Sequence, residues 1–318
     1  GYYIVSDNEL RKIDEGESII LLKTQWFAAV GRLNVLLIRA NGLSLHTGES
    51  TLALDNPDVL NHSNSVVKLV MKQELPSIAS ELDQIRYNHL WGALAVLANL
   101  VEISLVGIQA HFVSDWGMAI VAFSVLLKTL LLPIEMMNVR FRRQVGQVQE
   151  LLGPQLAGIK ANYDGEEAHN RLMMAHKDAG VSPFFSLKLV LGPLIQLPIQ
   201  VAIFNALSEM PQLSTHSFLW IESLAYPDTL FGHMSFGIPM LGDTVSLLPF
   251  IMTIVALYST IIYKNRFSSQ LELKSQKRNL YLMAVAIFLL FYPFPSAMVL
   301  YWTLANILQA IQHQIIKV

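Results

Sequence analysis

Four segments after residue 115 are apolar over about 20 residues or more, the length that a helix needs to cross a bilayer. They cover residues 116–138, 185–207, 245–263 and 280–316. Only 14% of the residues are charged, whereas soluble domains usually carry about 25%. The apolar segments therefore predict a multi-pass membrane protein.

The last of these segments is too long for a single crossing. It contains two prolines in "YPFPS" at residues 292–296. Proline has no amide N–H to donate within a helix, so it ends or kinks the helix. We therefore predict two helices joined by a tight turn, which brings the total to five crossings.

Residues 1–89 have a different pattern, in which short apolar runs alternate with clusters of Gly, Asn, Asp and Ser. Runs of this kind over 18–22, 33–38 and 65–71 are typical of β-strands separated by turns. The charges in this part of the chain are scattered and of mixed sign. We predict a β-rich region that lies outside the bilayer.

The segment over 90–115 contains an apolar helix at about 93–112. Asn99, Glu102 and Gln109 fall on one face of that helix at 100° per residue. This polar stripe favours an amphipathic helix in the membrane interface. The helix is also long enough to span the membrane.

The distribution of Lys and Arg sets the orientation, because cytoplasmic loops carry an excess of both residues. The basic residues of two loops are Arg140, Arg142, Arg143, Lys160, Arg171, Lys177 and Lys188 in 139–188, and Lys264, Arg266, Lys274, Lys277 and Arg278 in 264–278. The connections over 209–246 and 292–296 contain neither Lys nor Arg. Five crossings then place residues 1–115 outside and the C-terminus in the cytoplasm.

The first basic loop is predicted to form a cytoplasmic helical hairpin over 139–183. Its first arm carries an apolar stripe at helical spacing, formed by Val145, Val148, Leu152, Leu156 and Ile159. Pro154 is expected to kink this arm. Asp164, in the turn "NYDGEE", is positioned to cap the second arm. A plain packed helix pair and a docking arm for a partner both agree with this pattern.

Lys128 lies in the middle of the apolar run "AFSVLLKTLLLPIEMM". It is about ten helical residues, or about 15 Å, from either end of its predicted crossing. A lysine at mid-bilayer costs about 2.5–3.5 kcal/mol, and its side chain is too short to reach either surface fully. We expect Lys128 to face a polar cavity. Two alternatives are a local pair with Glu135, seven residues further along the same helix, and partial snorkelling.

Few other polar residues lie deep within the predicted crossings. Those that can line one hydrophilic cavity with Lys128 are Ser124, Gln196, Gln200, Trp302, Thr303 and Asn306. Each of them alone is explained as well by a hydrogen bond between helices. As a set around a lone cation, they favour a shared cavity.

Signals for catalysis and for metal binding are weak. The chain has no cysteine and lacks the Gly-x-Ser-x-Gly, His-Glu-x-x-His and P-loop motifs. His169 and His176 are seven residues apart with no evident third ligand, so we predict no metal site. The net charge of −2 gives no basic field for nucleic acid. We expect neither an enzyme nor a cofactor.

Four motifs in a fixed order resemble the YidC/Oxa-type membrane protein insertases, in their Gram-negative form. "WGMAIVAFSVLLKTLLLPIEMM" resembles the first core helix of that family, and "GPLIQLPIQVAIFNAL" resembles the second. "FLWIESLAYPD" resembles an outer loop, and "FPSAMVLYWTLANILQAIQHQII" resembles the last helix. "GESIILLKTQWFAAV" and "LDQIRYNHLWG" more faintly resemble the end of the family's periplasmic β-sandwich, so we expect a chain that is incomplete at its N-terminus.

The resemblance implies a mainly α-helical protein of the bacterial inner membrane. Its parts would be a partial periplasmic β-sandwich over 1–89, an interfacial helix over 90–115, and a five-helix insertase core over 116–318 that includes the hairpin. A hydrophilic groove open to cytoplasm and lipid would insert nascent membrane proteins and help them fold, alone or beside the Sec translocon. The family's groove cation corresponds to Lys128, its groove glutamine to Gln196, and an aromatic of its last helix to Trp302.

The chain departs from the family pattern at several positions. The groove cation is usually arginine, and the lysine found here loses its proton more readily when desolvated. "VSPFFS" follows the hairpin where the family often has Asn-Pro and glycines. No long basic tail precedes Val318, so we expect contact with the ribosome–nascent chain complex but no strong tail-mediated one.

Two other functions agree with the same residues. One is a solute transporter or channel that uses Lys128 as its substrate site, although transporters usually contain internal repeats and none is found in the sequence. The other is a structural assembly subunit in which Lys128 is paired.

Overall fold

The computed structural model describes residues 1–6, 9–49, 51–61, 65–182, 184–229, 245–262 and 270–316. The strands are β1 (Tyr2–Ser6), β2 (Glu9–Ile13), β3 (Ser18–Ile20), β4 (Trp26–Val30), β5 (Asn34–Arg39), β6 (Ser44–Thr47), β7 (Leu52–Leu54) and β8 (Val66–Met71). The helices are α1 (Leu75–Ile78), α2 (Gly92–His111), α3 (Trp116–Leu130), α4 (Leu132–Asn162), α5 (Gly165–Asp178), α6 (Lys188–Glu209), α7 (Leu248–Ile262), α8 (Gln270–Phe291) and α9 (Ser296–Ile316). The described chain is thus mostly helical, with a β-rich N-terminal region as predicted.

The β-rich region consists of two antiparallel sheets. The larger has the strand order β2-β1-β4-β5-β8, and the smaller has the order β3-β6-β7. Successive side chains of a strand point to opposite faces, so β5 contributes Leu37 to one apolar core and Ile38 to another. The three apolar runs that the sequence predicts as strands overlap with β3, β5 and β8.

A cluster of charged side chains joins the β-rich region to the helices. Lys72 is buried and donates to Glu209 at the end of α6, with a distance of 2.7 Å between Nζ and Oε2. Tyr87 donates to Glu102 of α2 over 2.7 Å, and Arg86 pairs with the same carboxylate. Burial, together with the nearby Glu102 carboxylate, raises the pKa of Tyr87 above its ordinary value, so the hydroxyl remains a donor.

Glu102 therefore has a different environment from the one expected of a polar stripe facing water. Its side chain is turned toward Arg86 and Tyr87, and only 7% of the residue is exposed. Asn99, on the same predicted stripe, is exposed. The three residues of the predicted polar stripe thus do not form one continuous water-facing surface.

Two of the described helices, α2 and α6, are long and apolar enough to cross a membrane. The bent pair formed by α3 and α4 is a third candidate if it is counted as one span. Shorter apolar stretches occur in α7 and α8, over Leu248–Tyr258 and Tyr281–Phe291. The predicted count of five crossings remains a prediction.

The connections between the later helices are only partly described. The turn predicted at 292–296 is confirmed, because α8 ends at Phe291 and α9 begins at Ser296. Residues 230–244 of the predicted outer connection, residue 263 at the end of a predicted crossing and residues 264–269 of the second basic loop lie outside the described residues. The remainder of that basic loop belongs to α8, which begins ten residues before the predicted start of its crossing.

The crossing predicted over 116–138 is not one straight helix. It breaks at Leu131, where the axes of α3 and α4 differ by 52°. Pro133 explains the break, because it cannot donate to the carbonyl of Thr129 and its ring clashes with that carbonyl in a regular helix. After the break α4 continues to Asn162, so the end of the predicted crossing and the first hairpin arm form one helix.

The two hairpin arms, α4 and α5, pack against each other. Pro154 lies within α4 without ending it. Asp164 occupies the N-cap position of α5, but its side chain makes no capping hydrogen bond, so that predicted cap is wrong. Gly165 follows with a φ of +60°, which differs from the helical geometry that normally follows a capping residue.

The loop over 216–229 forms hydrogen bonds with the N-terminal ends of α7 and α9. The backbone N–H and the hydroxyl of Ser296 both donate to the carbonyl of Tyr226, over 2.9 and 2.7 Å. The buried carboxylate of Asp228 accepts from the N–H groups of Leu247 and Leu248, over 2.7 and 3.0 Å. These bonds satisfy donors that a helix start leaves unpaired, and they fix where both helices begin.

The same loop packs against the start of α3 at Gly117. The ring of Phe218 occupies the space that a Cβ at Gly117 would need. We therefore expect Gly117→Ala to push α3 away from the loop and to lower the free energy of unfolding by about 1–3 kcal/mol. Unfolding of the purified protein in detergent, followed by the helical circular dichroism signal, measures this loss.

Gly107→Ala in α2 is the matched control for this substitution. No described atom outside the local helix lies within 4 Å of the added Cβ there, and alanine has the higher helix propensity. Equal losses of stability in the two variants would contradict the packing explanation.

Candidate functional site

The candidate site is centred on Lys128, near the C-terminal end of α3. Its Nζ atom lies 3.5 Å from Oε1 of Glu135 and also donates to the side-chain carbonyl of Gln309. The Lys128 and Glu135 side chains are only 15% and 13% exposed. A cation therefore lies well inside the helical region, with one carboxylate partner and one amide partner identified.

The break between α3 and α4 brings Glu135 to Lys128. Seven residues along a straight helix separate two side chains by about 10 Å along the axis, even when they share a face. The 52° bend at Leu131 shortens that path on one side. The bend at Pro133 thus places Glu135 beside Lys128, and the local pair that is one alternative for Lys128 in the sequence is present.

Gln309 belongs to α9, which packs against α3. Phe123 of α3 and Tyr301 of α9 belong to the same contact between the two helices. The rings of these two residues lie 6.5 Å apart, one to two turns before the polar contact. Gln309 was not predicted as a site residue. Its position three residues after Asn306 on α9 was the available signal, because residues three apart lie on one helical face.

Gln196 of α6 lies near Glu135, the carboxylate partner of the cation. Both side chains line a cavity of about 10 Å³ whose other walls are apolar, formed by Leu131, Ile134, Ile195 and Ile199. A volume of this size holds about one water molecule. The structure therefore brings Lys128, Glu135 and Gln309 into contact and places Gln196 beside Glu135.

Ser124, Asn306 and Gln200, which the sequence also assigned to a cavity, have other described contacts. The Ser124 hydroxyl is buried and donates to the carbonyl of Ile120 over 2.7 Å. Asn306 donates to the carbonyl of Trp302 over 2.9 Å. The Gln200 side chain interacts with the hydroxyl of Tyr301 on α9.

Trp302 packs among aromatic side chains. Its ring lies 5.4 Å from that of Phe204 and 5.2 Å from that of Phe291. These distances suit aromatic packing, and the three residues belong to the main apolar core or its edge. Trp302 thus has a packing environment, and its predicted groove role stays a prediction.

Across the described ranges, no group of three or more His, Asp or Glu side chains is arranged to hold a metal ion. The polar groups around Lys128 are a carboxylate and an amide, which can bind and orient charged or polar groups through hydrogen bonds. The chemistry that this arrangement offers is reversible binding of a negative charge by an ammonium group.

Comparison with known proteins adds an independent finding. Residues 108–318 match the model of the family described as "60Kd inner membrane protein". The membrane protein insertase YidC of Chlorobaculum parvum is 27% identical over 209 residues, covering 65% of this chain and 33% of that relative. The YidC of a Janthinobacterium species is 27% identical over 225 residues, covering 70% of this chain and 37% of that relative.

A solved structure described as an active YidC insertase with its first transmembrane domain resolved is also similar. It shares 17% identity with a TM-score of 0.46, over 95% of this chain and 65% of that one. The chain spans about a third of the length of the curated relatives that it matches.

Proposed function

The chain belongs to the 60Kd inner membrane protein family, and from this premise we propose that it inserts nascent membrane proteins into the bilayer and assists their folding. The observation that carries the proposal is Lys128, a cation held inside an apolar helical region with a single carboxylate partner identified. Insertion requires binding and passage without a covalent step. It therefore needs no catalytic residue and no cofactor.

In the proposed topology the core over 116–318 crosses the bacterial inner membrane five times. The N-terminal region lies in the periplasm, and the C-terminus and the α4–α5 hairpin lie in the cytoplasm. The support is the excess of Lys and Arg in 139–188 and 264–278 over the other connections.

We assign α2 to the periplasmic surface of the inner membrane. Glu102, at the middle of α2, and Glu209, the last residue of α6, line one small cavity together with Lys72 and Arg86. If α6 crosses the bilayer and ends at its outer surface, the middle of α2 lies at that surface as well. This geometry supports an interfacial helix, although α2 is long enough to span.

The proposed client is a membrane segment with a short acidic tail that must reach the outside. Such a tail carries charged groups across hydrocarbon, at a cost of about 2.5–3.5 kcal/mol for each charge at the bilayer centre. A wet groove that opens from the cytoplasm to mid-membrane shortens that path. Burial of the client's apolar helix in lipid then provides the driving force.

The groove is proposed to be lined by the predicted residues Lys128, Ser124, Gln196, Gln200, Trp302 and Asn306, with Glu135 and Gln309 added. In the absence of a client, the Glu135 carboxylate pairs with the Lys128 ammonium group. A carboxylate of the client tail would then compete with Glu135 for the ammonium group. The Sec translocon and the ribosome–nascent chain complex are further proposed partners.

Crosslinking during translation tests the proposed groove. A photoreactive residue at position 128 is expected to crosslink to the transmembrane segment of a stalled client, whereas one at the exposed Met174 of α5 is not. Crosslinks of equal yield at the two positions would overturn the proposed client path.

A structural role for Lys128 is a second candidate, since the Lys128–Glu135 ion pair specifically favours it. Glu135→Gln separates the two functions. In either case it leaves a desolvated ammonium group without its carboxylate, so the free energy of unfolding should fall by about 1–3 kcal/mol. If Lys128 binds clients, insertion of an acidic-tailed client is retained or increased, because a competitor has been removed.

Insertion into proteoliposomes and unfolding in detergent measure these two effects on the same variant. Glu150→Gln, at an exposed position of the same helix, is the matched control. A parallel loss of insertion in Glu135→Gln and Lys128→Ala would favour the structural role.

A further inference from the structure

A cavity of about 400 Å³ lies between α4 and the connection that leads from α5 into α6. Its apolar walls are Val145, Val148, Val181, Phe184 and Phe185. Its polar lining includes Gln144 and Lys188. Binding sites for small molecules commonly have volumes of about 300–1,000 Å³ and this mostly apolar lining with a few polar groups.

The charges at this cavity are positive. Lys188 is exposed, and its Nζ atom lies 3.5 Å from Oε1 of Gln144. Arg140 and Arg143 are exposed on α4 within one turn of Gln144. The described residues that line the cavity include no acidic side chain. The polar edge therefore complements an anionic group.

The surroundings of the cavity indicate where it meets the membrane. Phe184 is 70% exposed and Leu187 is 57% exposed, directly before Lys188 at the start of α6. Exposed apolar side chains next to a basic residue, at the end of a helix able to cross a bilayer, are typical of the lipid–water boundary. The start of α6 therefore has the surface composition of a segment at that boundary.

We propose that this cavity binds an anionic phospholipid. An acyl chain lies against Val145, Val148 and Val181, and the phosphate contacts Lys188 and the amide of Gln144. Basic pockets between helices on the cytoplasmic side of membranes bind anionic head groups by this chemistry. The inference requires only that α6 begins at the membrane surface, and it holds whether or not the chain inserts clients.

Native mass spectrometry of the full chain tests the head-group contact. The protein is equilibrated in neutral detergent with equal amounts of phosphatidylglycerol and phosphatidylcholine, and retained lipid is counted. Lys188→Gln is expected to lower retention of phosphatidylglycerol about fivefold, which corresponds to about 1 kcal/mol per basic residue near the surface. Retention of phosphatidylcholine is expected to stay unchanged.

Lys177→Gln is the matched control, since Lys177 is an exposed lysine of α5 outside the cavity lining. It is expected to retain both lipids like the parent protein. Equal losses of phosphatidylglycerol in Lys177→Gln and Lys188→Gln would overturn the proposal in favour of a general surface charge effect.

Val148→Trp tests the acyl-chain contact by filling the cavity. It is expected to lower retention of both lipids while the melting temperature in detergent stays near that of the parent. Displacement of phosphatidylglycerol by millimolar inorganic phosphate would instead identify a phosphate site without an acyl chain and overturn the proposal.

Discussion

Lys128→Glu is expected to lower insertion of a small client with an acidic outer tail by about tenfold or more. The substitution removes an attraction for the client carboxylates and replaces it with repulsion, and a change of about 1.4 kcal/mol already amounts to a factor of ten. It also places a second carboxylate beside Glu135. In the parent protein the Lys128 ammonium group lies 3.5 Å from Glu135. Lys128→Ala should have a smaller effect in the same direction.

Insertion into proteoliposomes, scored by protease protection of the client tail, measures this effect. Lys128→Arg keeps the positive charge and is expected to retain insertion near the parent level. Lys177→Glu introduces the same charge change on the exposed surface of α5 and controls for net charge. If Lys128→Glu leaves insertion unchanged, the groove mechanism is wrong.

The second large effect is expected for Asp228→Ala. Asp228 is 2% exposed, and its carboxylate accepts from the N–H groups of Leu247 and Leu248 and from the indole N–H of Trp220. A hydrogen bond to a charged group contributes about 1.5–3 kcal/mol, and a buried donor left unpaired costs about 1–3 kcal/mol. We therefore expect the free energy of unfolding to fall by about 3 kcal/mol or more.

Asp115→Ala is the matched control for this prediction. Asp115 also caps a helix, but it accepts a single hydrogen bond, from the N–H of Met118 over 3.0 Å at an exposed site. Loss of such a cap usually costs about 1 kcal/mol. Denaturant unfolding in detergent compares the two variants, and equal losses would contradict the assignment of Asp228 as a buried anchor of α7.

Much of the fold follows from local sequence patterns. The apolar runs of the N-terminal region predict strands because alternation and turn residues act over a few positions, and β3, β5 and β8 occur where such runs lie. The prolines of "YPFPS" likewise predict the turn between α8 and α9. The same reasoning applied to Pro133 predicts the break at Leu131. The length of the apolar run alone predicts a continuous crossing over 116–138.

The candidate site was less predictable, because its contacts depend on the path of the chain. Lys128 is recognisable from its position within an apolar run. Glu135 lies beside it across the break at Leu131, and Gln309 reaches it because α3 packs against α9. The ring of Trp302 packs against Phe204 and Phe291, contacts that its position in the sequence does not indicate, and its groove role stays a prediction. Such choices among neighbouring helices are set by tertiary packing, which residue spacing does not encode.

The measurement that tests the central claim most directly exchanges the charges of client and protein together. The parent and Lys128→Glu are each given two versions of one small client, whose outer tail carries either aspartates or lysines. If Lys128 attracts the tail, the parent prefers the acidic tail, and Lys128→Glu reverses that preference toward the basic tail. If Lys128→Glu impairs insertion of both clients to the same extent, Lys128 acts through the structure of the helices and the proposed role of its charge is wrong.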